Sequence, residues 1–188
     1  DIVQASKSNE STCENNLQIL MLLSEEIFDF STDKMTRAKI SKLKESLVKD
    51  FYPIYSLCEY VLANSKTPSL LKATLEALHR FLSWIPEGYI FGTDMLNILL
   101  GTFLPEEQFR IMTVNCLIEI AQIPADDTHR DKFQQLFVLF MEQLSAILPA
   151  HLDMALAYSQ GTHEERIFVH KVALFLSSFF KTHLLDVE

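Results

Sequence analysis

The chain has 188 residues, of which 48% are hydrophobic and 22% charged, and its formal net charge is −9 at pH 7. This composition excludes a disordered polar chain, and the negative charge argues against direct binding of nucleic acid, which needs clustered positive charge. Only four glycines are present, which is few for an all-β fold, and the abundant unbranched leucines favour helix. No apolar run is long enough to cross a bilayer. We therefore expect an all-α protein that contacts neither nucleic acid nor membrane directly.

Apolar residues recur at helical spacing over residues 14–30 and again over residues 36–63, which predicts two helices. Asn15 and Asn16 are the candidate N-caps of the first. Pro53 lies inside the second, where it lacks a backbone N–H and clashes with the preceding turn. We expect Pro53 to bend or break that helix.

Three further helices are predicted in the middle of the chain. Thr67 and Pro68 form a favoured cap and first-turn pair that begins a helix over residues 68–84. The next helices cover residues 92–104 and 106–122, and the latter has acidic residues in its first turn, where the helix dipole favours them.

The last third predicts helices over residues 130–148 and 164–184, with a short helical turn within 150–163. Similar helices recur with a period of about 40 residues, which is typical of HEAT and armadillo solenoids. The alternative is that amphipathic helices of equal length align partly by chance. The prediction is an all-α, α-α solenoid (superhelix) of HEAT-type helix pairs, with about seven main helices and no sheet. It forms a single segment over 1–188, with pairs over 14–63, 68–104 and 106–148 and an unpaired helix over 164–184.

The sequence contains no recognisable catalytic, cofactor-binding or metal-binding constellation. His163 and His170 could share a helix face, but two ligands are too few for a structural zinc site. Cys13, Cys58 and Cys116 lie at apolar-face or terminal positions, which predicts buried, inert thiols. We expect no enzymatic activity and no cofactor.

Four stretches are more specific than a generic helical repeat. They are LLSEEIFDFS (22–31), RFLSWIPEGYIFGT (80–93), CLIEIAQI (116–123) and LAYSQGTHEERIFVHKVALFLSSFFKTH (156–183). Together they resemble the exportin family of the importin-β superfamily. The resemblance implies that the chain is an internal segment from the N-terminal third of a much longer solenoid.

The resemblance also implies a function. Receptors of this family carry cargo with leucine-rich signals out of the nucleus together with Ran-GTP, and they shuttle between nucleus and cytoplasm through the nuclear pore. Their export-signal groove lies in later repeats, so this piece is expected to be structural scaffold and protein-binding surface. The implied partners of the intact receptor are Ran-GTP, export cargo proteins and Phe-Gly nucleoporins.

Two other classes of protein remain open from the residues alone. One is a HEAT-repeat scaffold of another kind, such as a phosphatase regulatory subunit or another karyopherin. The other is a helical enzyme, such as a metal-dependent hydrolase, which would need several carboxylates or histidines converging from different helices. The proposed inward positions are apolar, which argues against the enzyme.

The helical register predicts residues that face partners on the concave side of the solenoid. They are Lys42, Lys49, Tyr60, Asp131, Gln135 and Glu142. The alternative is that these positions are merely solvated and contact nothing. On the convex side, Ile111, Val114 and Ile118 lie opposite the predicted core face of their helix and could form an apolar patch for Phe-Gly repeats. The alternative there is that stacking of outer helices requires a wide apolar arc.

The last predicted helix carries Phe168, Phe175, Phe179 and Phe180, and no partner helix follows it in the sequence. Repeats at the ends of a solenoid normally need polar caps. We therefore expect exposed apolar ends and self-association of the chain through one of them.

Overall fold

The computed structural model describes residues 9–28, 37–83, 85, 87–125, 128–148, 151 and 153–183. Across these ranges the chain forms nine α-helices and one π-helical segment and contains no strand. The α-helices are α1 (Glu10–Phe28), α2 (Arg37–Asn64), α3 (Pro68–Leu82), α4 (Glu87–Phe91), α5 (Met95–Asn97), α6 (Glu107–Ala121), α7 (Arg130–Ile147), α8 (Met154–Gln160) and α9 (His163–His183). The π-helical segment Ile98–Phe103 directly follows α5. The predicted all-α fold class is confirmed.

The chain divides into two compact units, residues 1–89 and 90–188. In the first unit, α3 packs against both α1 and α2. Its core contains Phe51 and Tyr55 from α2 and Phe81 from α3, all of them buried. The ring of Phe51 meets those of Tyr55 and Phe81 with centroids 5.9 and 5.5 Å apart. This aromatic contact joins the middle of α2 to the end of α3.

The first helix begins earlier than the apolar spacing predicted. The carboxamide oxygen of Asn9 accepts hydrogen bonds from the backbone N–H groups of Ser11 (2.8 Å) and Thr12 (3.2 Å). Asn9 is therefore the N-cap, and the prediction of Asn15 and Asn16 in that role is wrong. The first turns of α1 are polar because they carry surface side chains, so they added nothing to the apolar periodicity.

Pro53 does not break α2, which is continuous from Arg37 to Asn64. The proline is exposed, whereas Phe51 and Ile54 beside it are buried. The proline ring therefore lies on the solvent side of α2, and the buried neighbours hold the helix on both sides of the proline. The predicted break is wrong because tertiary packing overrides the local preference.

Substitution of Pro53 by alanine is expected to raise the free energy of unfolding by about 2 kcal/mol. Alanine restores the hydrogen bond to the carbonyl of Lys49 and removes the clash of the proline ring, while a more flexible unfolded chain offsets part of the gain. Chemical denaturation followed by circular dichroism measures the difference. Pro68→Ala is the matched control, because Pro68 is at the first position of α3, where no N–H bond is lost, and it should bring no gain. A lower stability for Pro53→Ala would contradict this account.

The predicted fourth helix over 92–104 is wrong in detail. The structure instead has α4, a short connection, α5 and the π-helical segment. In the wider π turn the N–H of Leu104 donates to the carbonyl of Leu99 (2.9 Å). The side chain of Arg110 then closes the end by donating to the carbonyls of Leu104 (3.2 Å) and Pro105 (2.8 Å). The predicted short helical turn within 150–163 is present as α8.

In the second unit, α9 packs against α6 and, through aromatic ring contacts, against α7. We call these rings the aromatic ladder; its three pairs are Phe140–Phe175, Phe137–Phe179 and Phe133–His183, with centroids 4.0, 4.9 and 4.1 Å apart. The apolar face of the last helix, α9, was expected to be exposed, but the aromatic ladder covers most of it. Phe168, Phe175 and Phe179 are buried, and only Phe180 is exposed, because α6 and α7 supply the cover that was expected from a following helix.

Candidate functional site

One face of α7 presents exposed side chains at helical spacing. We call it the α7 stripe; it consists of Asp131, Gln135, Val138 and Glu142, all exposed. The opposite face buries Phe133 and Phe140 against the unit. The stripe combines two carboxylates, an amide and an apolar side chain, and Val138 is 54% exposed. Such a face suits a protein partner that offers basic groups around an apolar contact.

A shallow cavity of about 90 Å³ lies beside the stripe. Its walls come from the α4–α5 region and from α7: Phe91, Thr93, Leu96, Asn97, Lys132, Gln135, Leu136 and Leu139. Gln135 belongs to both the cavity and the stripe. The cavity is large enough for one small apolar side chain, with Lys132 and the amides of Asn97 and Gln135 at hand for polar groups. Sequence reasoning missed this groove because its walls come from separate helices.

The remaining concave-face predictions fall in the first unit. Tyr60 is exposed, and its carbonyl accepts a hydrogen bond from the side-chain amide of Asn64 (2.8 Å). The side chains of Lys42 and Lys49 lie outside the part of the chain whose side chains the structure describes. The structure thus brings Asp131, Gln135 and Glu142 together on one helix and places Tyr60 in the other unit.

The three residues of the convex patch predicted on α6 differ in their exposure. Val114 is completely buried, and Ile111 and Ile118 are half-buried. The buried arc of α6 is wider than its predicted core face, because α6 contacts both α9 and the π-helical segment. It also includes Thr113, Leu117 and Ala121. Val114 is therefore a core residue and cannot be part of an apolar patch.

Ile111 instead lines a cavity of about 170 Å³ between α6 and α9. The other lining residues are Glu107, Arg110, Glu164, Glu165 and Phe168. The guanidinium carbon of Arg110 lies 5.2 Å from the centre of the Phe168 ring, a cation–π contact. Arg110 thus contacts both Phe168 of α9 and the end of the π-helical segment. Through the contact with Phe168 it helps to hold α6 and α9 together.

A reciprocal capping box begins α9. The carboxylate of Glu165 accepts a hydrogen bond from the backbone N–H of Thr162 (2.6 Å), and the Thr162 hydroxyl accepts one from the N–H of Glu165 (3.2 Å). These hydrogen bonds, with the backbone N–H of Thr162 first, lower the pKa of the Glu165 carboxyl below its usual value. The ionised form is therefore favoured in the folded chain.

Glu165→Gln is expected to lower stability at neutral pH by an amount that disappears in acid. A carboxyl whose pKa is lowered by folding stabilises the folded state above its unfolded pKa of about 4.3. That contribution is lost as pH falls through the lower pKa of the folded state. Denaturation curves of the two proteins between pH 7 and pH 3 should converge in acid. Glu164→Gln, at the exposed neighbour outside the capping box, is the control; an equal pH dependence in both variants would contradict the assignment.

The described ranges contain three cysteines. Cys13, Cys58 and Cys116 are buried, as predicted, and none of the three forms a disulfide. Burial raises the pKa of the Cys58 thiol to about 12, with a smaller contribution from Cys13. Cys58 is thus protonated at neutral pH and is a poor nucleophile. The described residues contain no group of three or more potential metal ligands, and none of their helices is long and apolar enough to span a membrane.

Comparison with known proteins gives one consistent family. The family model described as "Exportin 1-like protein" matches residues 1–117. Over 188 residues the chain is 47% identical to Protein EXPORTIN 1B of Arabidopsis thaliana, 44% to Exportin-1 of Schizosaccharomyces pombe and 43% to Exportin-1 of Drosophila melanogaster. Each alignment covers 100% of this chain but only 17% or 18% of the relative. The chain therefore spans less than a fifth of the length of these relatives.

Proposed function

This chain belongs to the Exportin 1-like protein family, and from that premise we propose that it is a segment of a nuclear export receptor. The observation that carries the proposal is the identity of 43–47% to exportin-1 proteins over the whole chain. The all-helical architecture of the described residues supports it. The other HEAT-repeat scaffolds, such as a phosphatase regulatory subunit, have no comparable support.

Within such a receptor, the segment acts as scaffold and protein-binding surface and is not an enzyme. The buried, protonated thiol of Cys58 and the apolar cores of both units agree with a structural role. We propose that the chain is one HEAT-type segment with helix pairs over 14–63, 68–104 and 106–148, followed by the helix over 164–184. The export-signal groove is not assigned to any of these residues.

The intact receptor is proposed to bind Ran-GTP, cargo proteins with leucine-rich signals and Phe-Gly nucleoporins, and to shuttle between nucleus and cytoplasm. The α7 stripe is the best-supported contact surface in this chain, because its polar and apolar side chains are exposed together on a well-anchored helix. Its carboxylates Asp131 and Glu142 favour a partner with basic side chains. With Val114 buried, Ile111 and Ile118 are the two residues of the predicted patch that stay partly exposed for a Phe-Gly contact.

A segment exchange tests the proposed function. The 188 aligned residues of the Schizosaccharomyces pombe relative are replaced by this chain, and export of a nuclear reporter with a leucine-rich signal is measured in cells. The chimeric receptor should restore cytoplasmic accumulation of the reporter. A chimera with a helical segment of equal length from an unrelated scaffold is the control. Retention of the reporter in the nucleus at equal expression and folding of the chimera would contradict the proposal.

The same chimera tests the role of the α7 stripe. Charge reversal by Asp131→Lys and Glu142→Lys should weaken binding of Ran-GTP or cargo by about tenfold if the stripe contacts a basic partner. Glu164→Lys, at an exposed carboxylate outside the stripe, is the matched control. Unchanged affinity for every partner would indicate that the stripe is only solvated.

A further inference from the structure

Hydroxyl groups at the start of α3 are held by carboxylates of α1. The Thr67 hydroxyl donates to Glu10 Oε2 (2.6 Å), and the Ser65 hydroxyl donates to Glu10 Oε1 (3.2 Å). The Ser69 hydroxyl donates to Glu14 Oε2 (3.0 Å). We call these three hydrogen bonds the hydroxyl clasp. It joins the first turns of the two helices, α1 and α3, that pack together in the first unit.

Thr67 and its neighbours have the sequence and the exposure of a protein kinase substrate. Thr67 directly precedes Pro68 in the connection between α2 and α3, and its backbone is extended (φ −85°, ψ 111°). Lys66, Pro68 and Ser69 are exposed, and Thr67 is half-buried. Its hydrogen bond to Glu10 is also exposed. A threonine followed by proline in an accessible, extended connection is the target of proline-directed serine/threonine kinases.

We propose that Thr67 is a phosphorylation site for a proline-directed kinase and that its modification opens the contact between α1 and α3. In the transfer, Thr67 Oγ1 attacks the γ-phosphorus of Mg²⁺-bound ATP. The Oγ1–P bond forms, the bond from the γ-phosphorus to the bridging oxygen of ADP breaks, and ADP leaves. The hydroxyl proton passes to the general base of the kinase. The proposal concerns the fold of the first unit and does not depend on nuclear export.

Phosphorylation replaces the hydrogen bond between Thr67 and Glu10 by electrostatic repulsion. Oγ1 loses the hydrogen that it now donates to Glu10, and the phosphate adds a charge of about −1.5 to −2 beside that carboxylate. Attraction of the phosphate to the N-terminus of α3 acts in the opposite direction. In both cases the contact between Thr67 and α1 is lost, because a phosphate that turns towards the amides of α3 also moves away from Glu10. Thr67 therefore exchanges its partner in α1 for the first turn of its own helix.

The experiment is phosphorylation of the chain with a purified proline-directed kinase and Mg-ATP. Mass spectrometry locates the phosphate, and amide hydrogen exchange reports opening of α1. We expect phosphate on Thr67 and exchange at the start of α1 that is about tenfold faster. Thr67→Val should take no phosphate, whereas Ser69→Ala should still be modified. Absence of phosphate on Thr67 in the folded chain, whether or not a peptide of residues 60–74 is modified, overturns the site.

A second variant separates charge repulsion from simple loss of the hydroxyl. In Glu10→Gln the clasp keeps a side-chain acceptor but loses its negative charge. Phosphorylation of this variant should accelerate exchange in α1 much less than phosphorylation of the unsubstituted chain. Equal acceleration in both proteins, or no acceleration in the phosphorylated chain, overturns the proposed opening.

Discussion

Replacement of Phe51 by alanine is expected to lower the free energy of unfolding of the first unit by about 3–5 kcal/mol. Phe51 is completely buried on α2. Its ring contacts those of Tyr55, Phe81 and Tyr89, with centroids 5.9, 5.5 and 5.9 Å apart. Alanine removes these contacts and leaves a cavity where α2, α3 and α4 meet. Urea denaturation followed by far-ultraviolet circular dichroism measures the loss.

The adjacent residue provides the matched control. Tyr52 is 60% exposed, so Tyr52→Ala should change the free energy of unfolding by no more than about 0.5 kcal/mol. Phe51→Leu keeps most of the buried volume and should lie between the two. Equal losses for Phe51→Ala and Tyr52→Ala would contradict the orientation of α2 and, with it, the finding that the helix continues through Pro53.

The helices were predictable because their apolar residues recur with the helical period, but local details depended on tertiary structure. Pro53 was predicted to break α2, and buried neighbours keep that helix intact. The start of α1 at Asn9 was missed because its first polar turn has no apolar periodicity. The π-helical segment was missed because its end is closed by Arg110, a residue of the next helix. The errors at Pro53 and at the π-helical segment thus have their cause in contacts that helical spacing does not encode.

The same distinction applies to the candidate surfaces. Asp131, Gln135 and Glu142 were correctly placed on one exposed face, because a single helix and its buried side determine that face. Val114 was misplaced because the buried arc of α6 depends on how many neighbours the helix has. The hydroxyl clasp joins Glu10 to Thr67, residues from two helices that are distant in sequence. Such a pair has no signal in one sequence without knowledge of which helices meet.

The second large effect is expected at His183, the last residue of α9. Its ring is completely buried, stacks on Phe133 and contacts the tilted ring of Phe179, with centroids 4.1 and 4.9 Å apart. Its Nε2 lies 3.1 Å from the carbonyl oxygen of Ala121, and because a carbonyl only accepts, Nε2 is the donor. His183→Ala should therefore lower the free energy of unfolding of the second unit by about 3–4 kcal/mol. Thermal and urea denaturation measure the loss.

Two variants divide this loss between packing and hydrogen bonding. His183→Phe keeps a ring in the aromatic ladder but removes the donor to Ala121, so it should cost about 1–3 kcal/mol. His170→Ala, at an exposed histidine of the same helix, should cost no more than about 0.5 kcal/mol. If His183→Ala were as mild as His170→Ala, α9 would not be anchored at its end by α6 and α7. Because the ring and the hydrogen bond connect three helices at one residue, His183 is the position where a single substitution should most strongly separate α9 from its unit.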